Sequence, residues 1–179
     1  TKHKTVLYQG VLNPGRGIKP MIKALQFLKG VDLIIIGYGK VEEELKSFVK
    51  KELLENRVHF LGRIPHNELQ NYTKIADIGM VLEEPLGLSF EYSLPNKLFD
   101  YIHAEIPIIS GNLTEIKKVI KKHKLGVVLD NYNPKTIAIA IEKLLDNKEL
   151  YKEIKTNQQK VKEQFCWEKE KQLLDNYFN

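Results

Sequence analysis

The stretch Val31-Asp32-Leu33-Ile34-Ile35-Ile36-Gly37-Tyr38-Gly39 decides the fold. From Val31 to Ile36 only Asp32 is polar. A strand with one wet face would alternate apolar and polar residues. A continuous apolar run marks a strand covered on both faces, as in a parallel sheet between helices. Gly37-Tyr38-Gly39 then turns the chain into a charged helical segment, residues 41–54.

The same alternation extends in both directions. Residues 5–9 read as a first strand ended by Gly10, and Asn13-Pro14-Gly15-Arg16-Gly17 as a loop. A helix beginning near Arg16 follows, with Ile18, Met21, Ile22, Leu25 and Leu28 at helical spacing. Residues 57–61 read as a third strand, and Asn67 caps a helix running to Lys74. Residues 76–82 form a fourth strand, followed by an irregular stretch over 83–94. Pro95 opens a helix through Ala104. Strands at 106–109 and 126–129 and helices at 114–122 and 134–145 complete the pattern, with only helix beyond Asp146 as far as Tyr177. The expectation is an α/β fold in one domain, residues 1–179. Its core is a Rossmann-like parallel six-stranded sheet with helices on both faces.

Composition removes other classes. The chain has 179 residues, 42% of them hydrophobic, with 28 Lys+Arg against 23 Asp+Glu and a net charge of +5. That suits a folded domain with one ordinary core. No apolar run approaches the ~20 residues of a membrane-spanning helix. The single cysteine, Cys166, excludes a disulfide framework, and its neighbour Trp167 gives it a packing role. His3, His59, His66, His103 and His123 are scattered without ligand spacing, so no metal is expected. Aromatic and basic residues do not interleave as on an RNA-binding sheet, so nucleic acid is not an expected partner. Thr1-Lys2-His3-Lys4 runs straight into a strand-like segment without an initiator Met, which reads as a fragment or a processed start, with a reducing, cytoplasmic setting as the default. Lys117, Lys118, Lys121, Lys122 and Lys124 form a charge run. It reads first as a solvated helix face and second as a contact for an anionic membrane surface.

Ligands of a doubly wound sheet bind at the carboxyl ends of its strands. Three loops stand out there. Gly10, Gly15 and Gly17 surround Arg16 before a helix start, where free N–H groups attract anions. Gly37-Tyr38-Gly39 lacks the third glycine of a dinucleotide fingerprint, yet lets a ligand approach the backbone. Ser93-Leu94-Pro95-Asn96-Lys97-Leu98-Phe99-Asp100-Tyr101 is the densest. It places Lys97 in a first helical turn, where a cation is out of place unless an anion sits opposite. Asp100 lies one turn beyond Asn96. Lys97 and backbone N–H suit phosphates, and the carboxylate suits ribose hydroxyls.

The segment from Ser93 through Ile102, followed by Ala104-Glu105-Ile106-Pro107-Ile108-Ile109, closely resembles the "slPnKlfEYmaaGiPvi" motif of the family 4, or group 1, glycosyltransferases. Further matches fall in family order along nearly the whole chain. They are Tyr8-Gln9-Gly10 with Arg16-Gly17, Ile36-Gly37-Tyr38-Gly39, Val58-His59-Phe60-Leu61-Gly62-Arg63-Ile64-Pro65, Ala76-Asp77-Ile78 and Phe165-Cys166-Trp167-Glu168.

The resemblance implies a retaining enzyme of the GT-B fold, of which this chain is the C-terminal, donor-binding half. It implies that Arg16 and Lys97 carry the catalytic charge on the donor diphosphate. Asn96, with Ser93, Pro95 and Leu98 around it, would hold phosphate, and Asp100 the ribose. Backbone at Arg63 and Ile64 would hold the base, with the glycines of the first two loops and Tyr38 beside it. The donor is a nucleotide sugar, UDP-linked in preference to GDP-linked, used without a metal. An N-terminal domain of the same protein would bind a glycan or lipid-linked acceptor. Helices over about 148–179 would pack toward that domain, and the isolated chain would bind donor without transferring sugar. The setting implied is polysaccharide biosynthesis in the cytoplasm, peripheral to the inner face of the plasma membrane. The chain departs from the family at the first of two paired glutamates, where Tyr92 stands with Glu91 adjacent and Glu84 upstream. It departs again at Val11, where a second basic residue is usual, and at Glu105, where glycine is usual. Two other readings remain: a non-catalytic nucleotide-binding module of the same fold, and a sugar-nucleotide epimerase.

Overall fold

The computed structural model describes residues 3–166 together with 169 and 171. Six strands, β1 (Lys4–Gln9), β2 (Val31–Ile36), β3 (Val58–Gly62), β4 (Ile78–Val81), β5 (Ile108–Ser110) and β6 (Gly126–Val128), form one sheet in the order β3-β2-β1-β4-β5-β6. Every pairing is parallel. The chain winds outward from β1 to β3, then returns to lay β4 on the other side of β1. Connections leaving β1 and β4 therefore diverge and open a crevice at their carboxyl ends, the usual ligand site of such sheets.

The helices are α1 (Ile18–Ala24), α2 (Glu42–Lys51), α3 (His66–Thr73), α4 (Leu88–Glu91), α5 (Asn96–His103), α6 (Thr114–His123), α7 (Pro134–Asp146) and α8 (Lys148–Val161). Strand alternation sends Val6, Tyr8, Leu33, Ile35, Ile78 and Met80 to one face, where α1, α2 and α7 bury Met21, Leu45 and Ile137. Leu7, Val81 and Ile108 point to the other face, against Leu98, Tyr101 and Ile102 of α5 and Ile116 and Ile120 of α6. Gly79 lets α5 approach closely: a Cβ there would stand 2.5 Å from the Tyr101 ring. The Tyr101 hydroxyl accepts from the Gln9 N–H and donates to the Leu7 carbonyl, both at 3.2 Å, which locks α5 onto β1.

Several boundaries differ from the sequence reading. The helix expected from Arg16 begins at Ile18 and closes with a 3₁₀ turn, Leu25–Phe27. Asn67 does not cap α3; that helix begins at His66 behind Pro65, which is extended at φ −57 and ψ 143. Pro95 precedes α5 as its cap residue and is not its first helical residue. The fifth strand starts at Ile108, because Pro107 has no N–H to give a neighbour. The irregular stretch holds the single turn α4. Residues 148–165 pack on α5, α6 and α7, with Phe165 against Phe99 and His123. The Trp167-Glu168 part of the closing motif and the amphipathic end of the chain lie outside the described residues. Among the described residues no helix is long and apolar enough to cross a membrane.

Candidate functional site

A cleft of about 810 Å³ opens where β1 and β4 diverge. Its walls come from the ends of β1, β2 and β3 and from the start of α5. Gly10, Arg16, Gly37, Tyr38, Arg63, Ile64, Pro95, Asn96, Lys97 and Asp100, all singled out from sequence, line it. Gln9, His66, Leu69 and Phe99 line it as well.

The floor depends on two glycines. A Cβ on Gly37 would fall 1.8 Å from the Gly10 carbonyl oxygen, so the ends of β1 and β2 touch backbone to backbone. Gly10 has φ 137 and faces the Lys97 side chain, whose Cε would stand 3.3 Å from any Cβ added there.

The anion opposite Lys97 is part of the protein. Glu83, just past β4, accepts from Lys97 Nζ at 2.7 Å and from Arg16 Nη1 at 3.3 Å, both on Oε1. Lys97 is 7% exposed and Glu83 1%. The ammonium also lies 4.2 Å from the centre of the Tyr8 ring. Burial, the largest influence, holds the Lys97 pKa below its ordinary value, with Glu83 opposing the drop and Arg16 adding to it. Sequence reading missed Glu83. Its signal was position, since it directly extends the buried run from Ile78 to Leu82 at the switch point.

Asp100 is held by Gln9, whose Nε2 donates to Oδ2 at 2.7 Å. Gln9 is itself oriented by Thr73, whose Oγ1 lies 2.8 Å from Gln9 Oε1. Burial raises the Asp100 pKa above 3.8, opposed by the Gln9 hydrogen bond and by His66 and His103. At the outer end, the Arg63 guanidinium stacks on the Tyr38 ring at 5.5 Å. Asn96 and Lys97 occupy the first turn of α5, so their N–H groups have no acceptor within the helix.

Five residues singled out from sequence do not line the cleft. Leu98 is fully buried beneath α5, as its spacing to Tyr101 and Ile102 requires. Ser93 turns its hydroxyl to the Phe90 carbonyl, 3.1 Å away. Gly39 packs against the backbone of Leu12. Gly15 and Gly17 border a separate hollow of about 320 Å³, and Gly17 packs against the Leu82 carbonyl. Arg16 lies ahead of α1 and reaches the cleft as a side chain stacked 5.2 Å from the Phe90 ring.

The Glycosyl transferases group 1 family matches residues 1–161. The chain belongs to the group 1 glycosyl transferases. An uncharacterized glycosyltransferase of Haemophilus influenzae is 24% identical over 173 residues, which cover 94% of this chain and 47% of that protein. The C-terminal domain of the group 1 glycosyl transferase LpcC from Francisella tularensis superposes with a TM-score of 0.74 at 17% identity, covering 93% of this chain and 87% of that one. HepE from Anabaena, in complex with UDP and glucose, superposes with a TM-score of 0.77 at 19% identity, covering 91% and 44%. These neighbours share the Rossmann-like fold. This chain spans about half the length of the curated relatives it matches.

In this group 1 domain neither Glu84 nor Glu91 lines the cleft. Glu91 accepts from the Thr114 N–H at 3.1 Å and from the Thr114 hydroxyl, so it caps α6. Glu84 borders the smaller hollow and Tyr92 is exposed. Among the described residues there is no cluster of three or more side chains able to hold a metal ion.

Proposed function

We propose that this chain is the donor-binding half of a retaining glycosyltransferase. It takes a nucleotide sugar, with UDP favoured over GDP, in the β1/β4 cleft. The observation that carries this reading is the convergence of Arg16, Lys97 and the start of α5 on a cleft whose other end presents Asp100 and the Arg63–Tyr38 stack. The sugar diphosphate lies along Arg16, Asn96 and Lys97, the ribose against Asp100, and the base near Arg63 and Ile64. The UDP in the HepE complex supports the choice of base.

Catalysis is leaving-group stabilisation. Cleavage of the sugar–phosphate bond builds negative charge on the departing diphosphate. Two cations and the N–H groups of a helix start are already in position to meet it, which lowers the barrier without reorganisation. A second domain of the same protein supplies the glycan or lipid-linked acceptor, so this half alone binds donor and transfers nothing. Titration calorimetry tests the reading. UDP should bind the parent chain, and Lys97→Ala should weaken it at least about tenfold, the cost of a charged hydrogen bond to phosphate. Unchanged affinity would remove Lys97 from the site. A second reading, a nucleotide-binding module without transferase activity, draws on the exposed Tyr92 in place of a carboxylate. It predicts that the full-length protein binds nucleotide sugar and transfers none.

A further inference from the structure

Glu83 lies buried behind the two cations of the cleft, and its surroundings define a role. Its Oε1 serves both cations, while Oε2 is buried and has no partner among the described residues. The Tyr132 hydroxyl donates to the Glu83 main-chain carbonyl and so anchors the backbone from which the carboxylate extends. Tyr132 belongs to the turn after β6, so the anchor comes from the far half of the sheet.

Consider what faces Lys97. From β1 comes the Tyr8 ring, whose hydroxyl is spent on the Val11 carbonyl at 2.9 Å. From the loop before α1 comes the Arg16 guanidinium. Its own helix contributes no acidic residue in the first turn, and Asp100 is engaged with Gln9. The positive end of the α5 dipole adds to the repulsion. Among the described residues Glu83 is the single carboxylate bonded to this ammonium. Without it, burial, a neighbouring guanidinium and a helix start would all act to drive the proton off.

Resting on the donor reading above, we propose that Glu83 is a positioning residue of the donor site. It clasps Arg16 and Lys97 on one carboxylate oxygen and keeps Lys97 an ammonium ready for the diphosphate. When the diphosphate enters, its oxygens share the two cations with Glu83, and no proton has to be gathered from solvent. A neutral glutamine at this position keeps the shape and can still accept from Lys97, but brings no charge. Lys97 then loses its proton in the empty site and must recover it on binding.

The test uses the chain with ¹³C-labelled lysine Cε, the Lys97 signal being assigned by its loss in Lys97→Arg. In Glu83→Gln, Lys97 should titrate at clearly lower pH than in the parent, because the burial and the neighbouring guanidinium that pull its pKa down are then opposed by no carboxylate. Calorimetry of UDP near pH 8 in two buffers of different ionisation enthalpy should show proton uptake for Glu83→Gln and none for the parent. Raising the pH from 7 to 9 should weaken UDP binding more in the variant than in the parent. Equal Lys97 titration in both forms overturns the proposal. If Glu83→Gln does not fold, Glu83→Asp takes its place, with an intermediate titration expected. Titration of Lys97 near neutrality in the parent overturns the proposal by itself. The resonance arm needs no nucleotide. Failure of UDP to bind the parent would therefore sink the donor reading and leave the role of Glu83 decided on its own.

Discussion

Burial holds the Asp100 carboxyl above its ordinary pKa of 3.8, despite the Gln9 amide hydrogen-bonded to it. A carboxyl raised in the folded state binds its proton more tightly than in the unfolded chain. The stability it contributes is present at low pH and is lost as pH rises through the folded pKa. At pH 7 the ionised Asp100 is therefore a cost to folding, of the kind retained at sites that bind. An asparagine in its place would still accept from Gln9 and would carry no charge. Asp100→Asn should be as stable as the parent or more so in urea at pH 7, and the difference should close as the pH falls toward 4. Nucleotide affinity should drop in the same variant. A variant less stable at pH 7 than at pH 4, relative to the parent, would mean that Gln9 outweighs burial at this carboxyl.

Element boundaries were legible where a local pattern sets them. The strand Val31–Ile36 follows directly from its apolar run, and α5 follows from Pro95 and the spacing of Leu98, Tyr101 and Ile102. The same spacing argument, applied to Leu98, would have kept it out of the site. The position of Glu83 after a buried strand was legible, but its pairing was not, because its partners Arg16 and Lys97 lie 67 and 14 residues away and no local pattern selects them. Arg57 is another such case. At the amino edge of the sheet its Nη1 donates to the Leu25 and Leu28 carbonyls at 2.7 and 2.9 Å, and its Nε to the Val31 carbonyl at 3.2 Å. One planar fork thus joins the 3₁₀ turn after α1, the start of β2 and the approach to β3. A lysine ammonium has no such fork and cannot reach all three carbonyls. Arg57→Lys should destabilise the fold by about 2–3 kcal/mol in chemical denaturation. UDP affinity should stay within about twofold of the parent, because the cleft lies at the other edge of the sheet. A marked loss of affinity would mean that the two edges are coupled.

At the scale of the whole molecule, the question is where the net charge of +5 lies. Arg16 and Lys97 face the cleft, while Lys117, Lys118, Lys121, Lys122 and Lys124 gather on and just after α6. That helix joins two parallel strands, so it starts at the carboxyl edge of the sheet and ends at the amino edge, about 15 Å away for ten residues. Its last turn holds Lys121, Lys122 and His123, where the negative end of the helix dipole favours cations. Two of the remaining charges are already matched: Lys118 with Glu115 and, more loosely, Lys124 with Glu153 at 3.7 Å. Docking this patch on an anionic leaflet would turn the cleft toward bulk solvent, away from any acceptor held in the bilayer. The energy is small as well. At about 1 kcal/mol per lysine, two to four lysines amount to a dissociation constant of about 1 mM or weaker. Vesicles with about one-third anionic lipid should therefore leave the chain in the supernatant at about 0.15 M salt, and any retention at low salt should vanish as the Debye length shortens. Lys121→Gln with Lys122→Gln should abolish that low-salt retention and leave UDP affinity unchanged. Retention that survives physiological salt, or survives the double substitution, would place the docking surface elsewhere, with the exposed Leu86, Leu88 and Tyr92 in and around α4 the next to test.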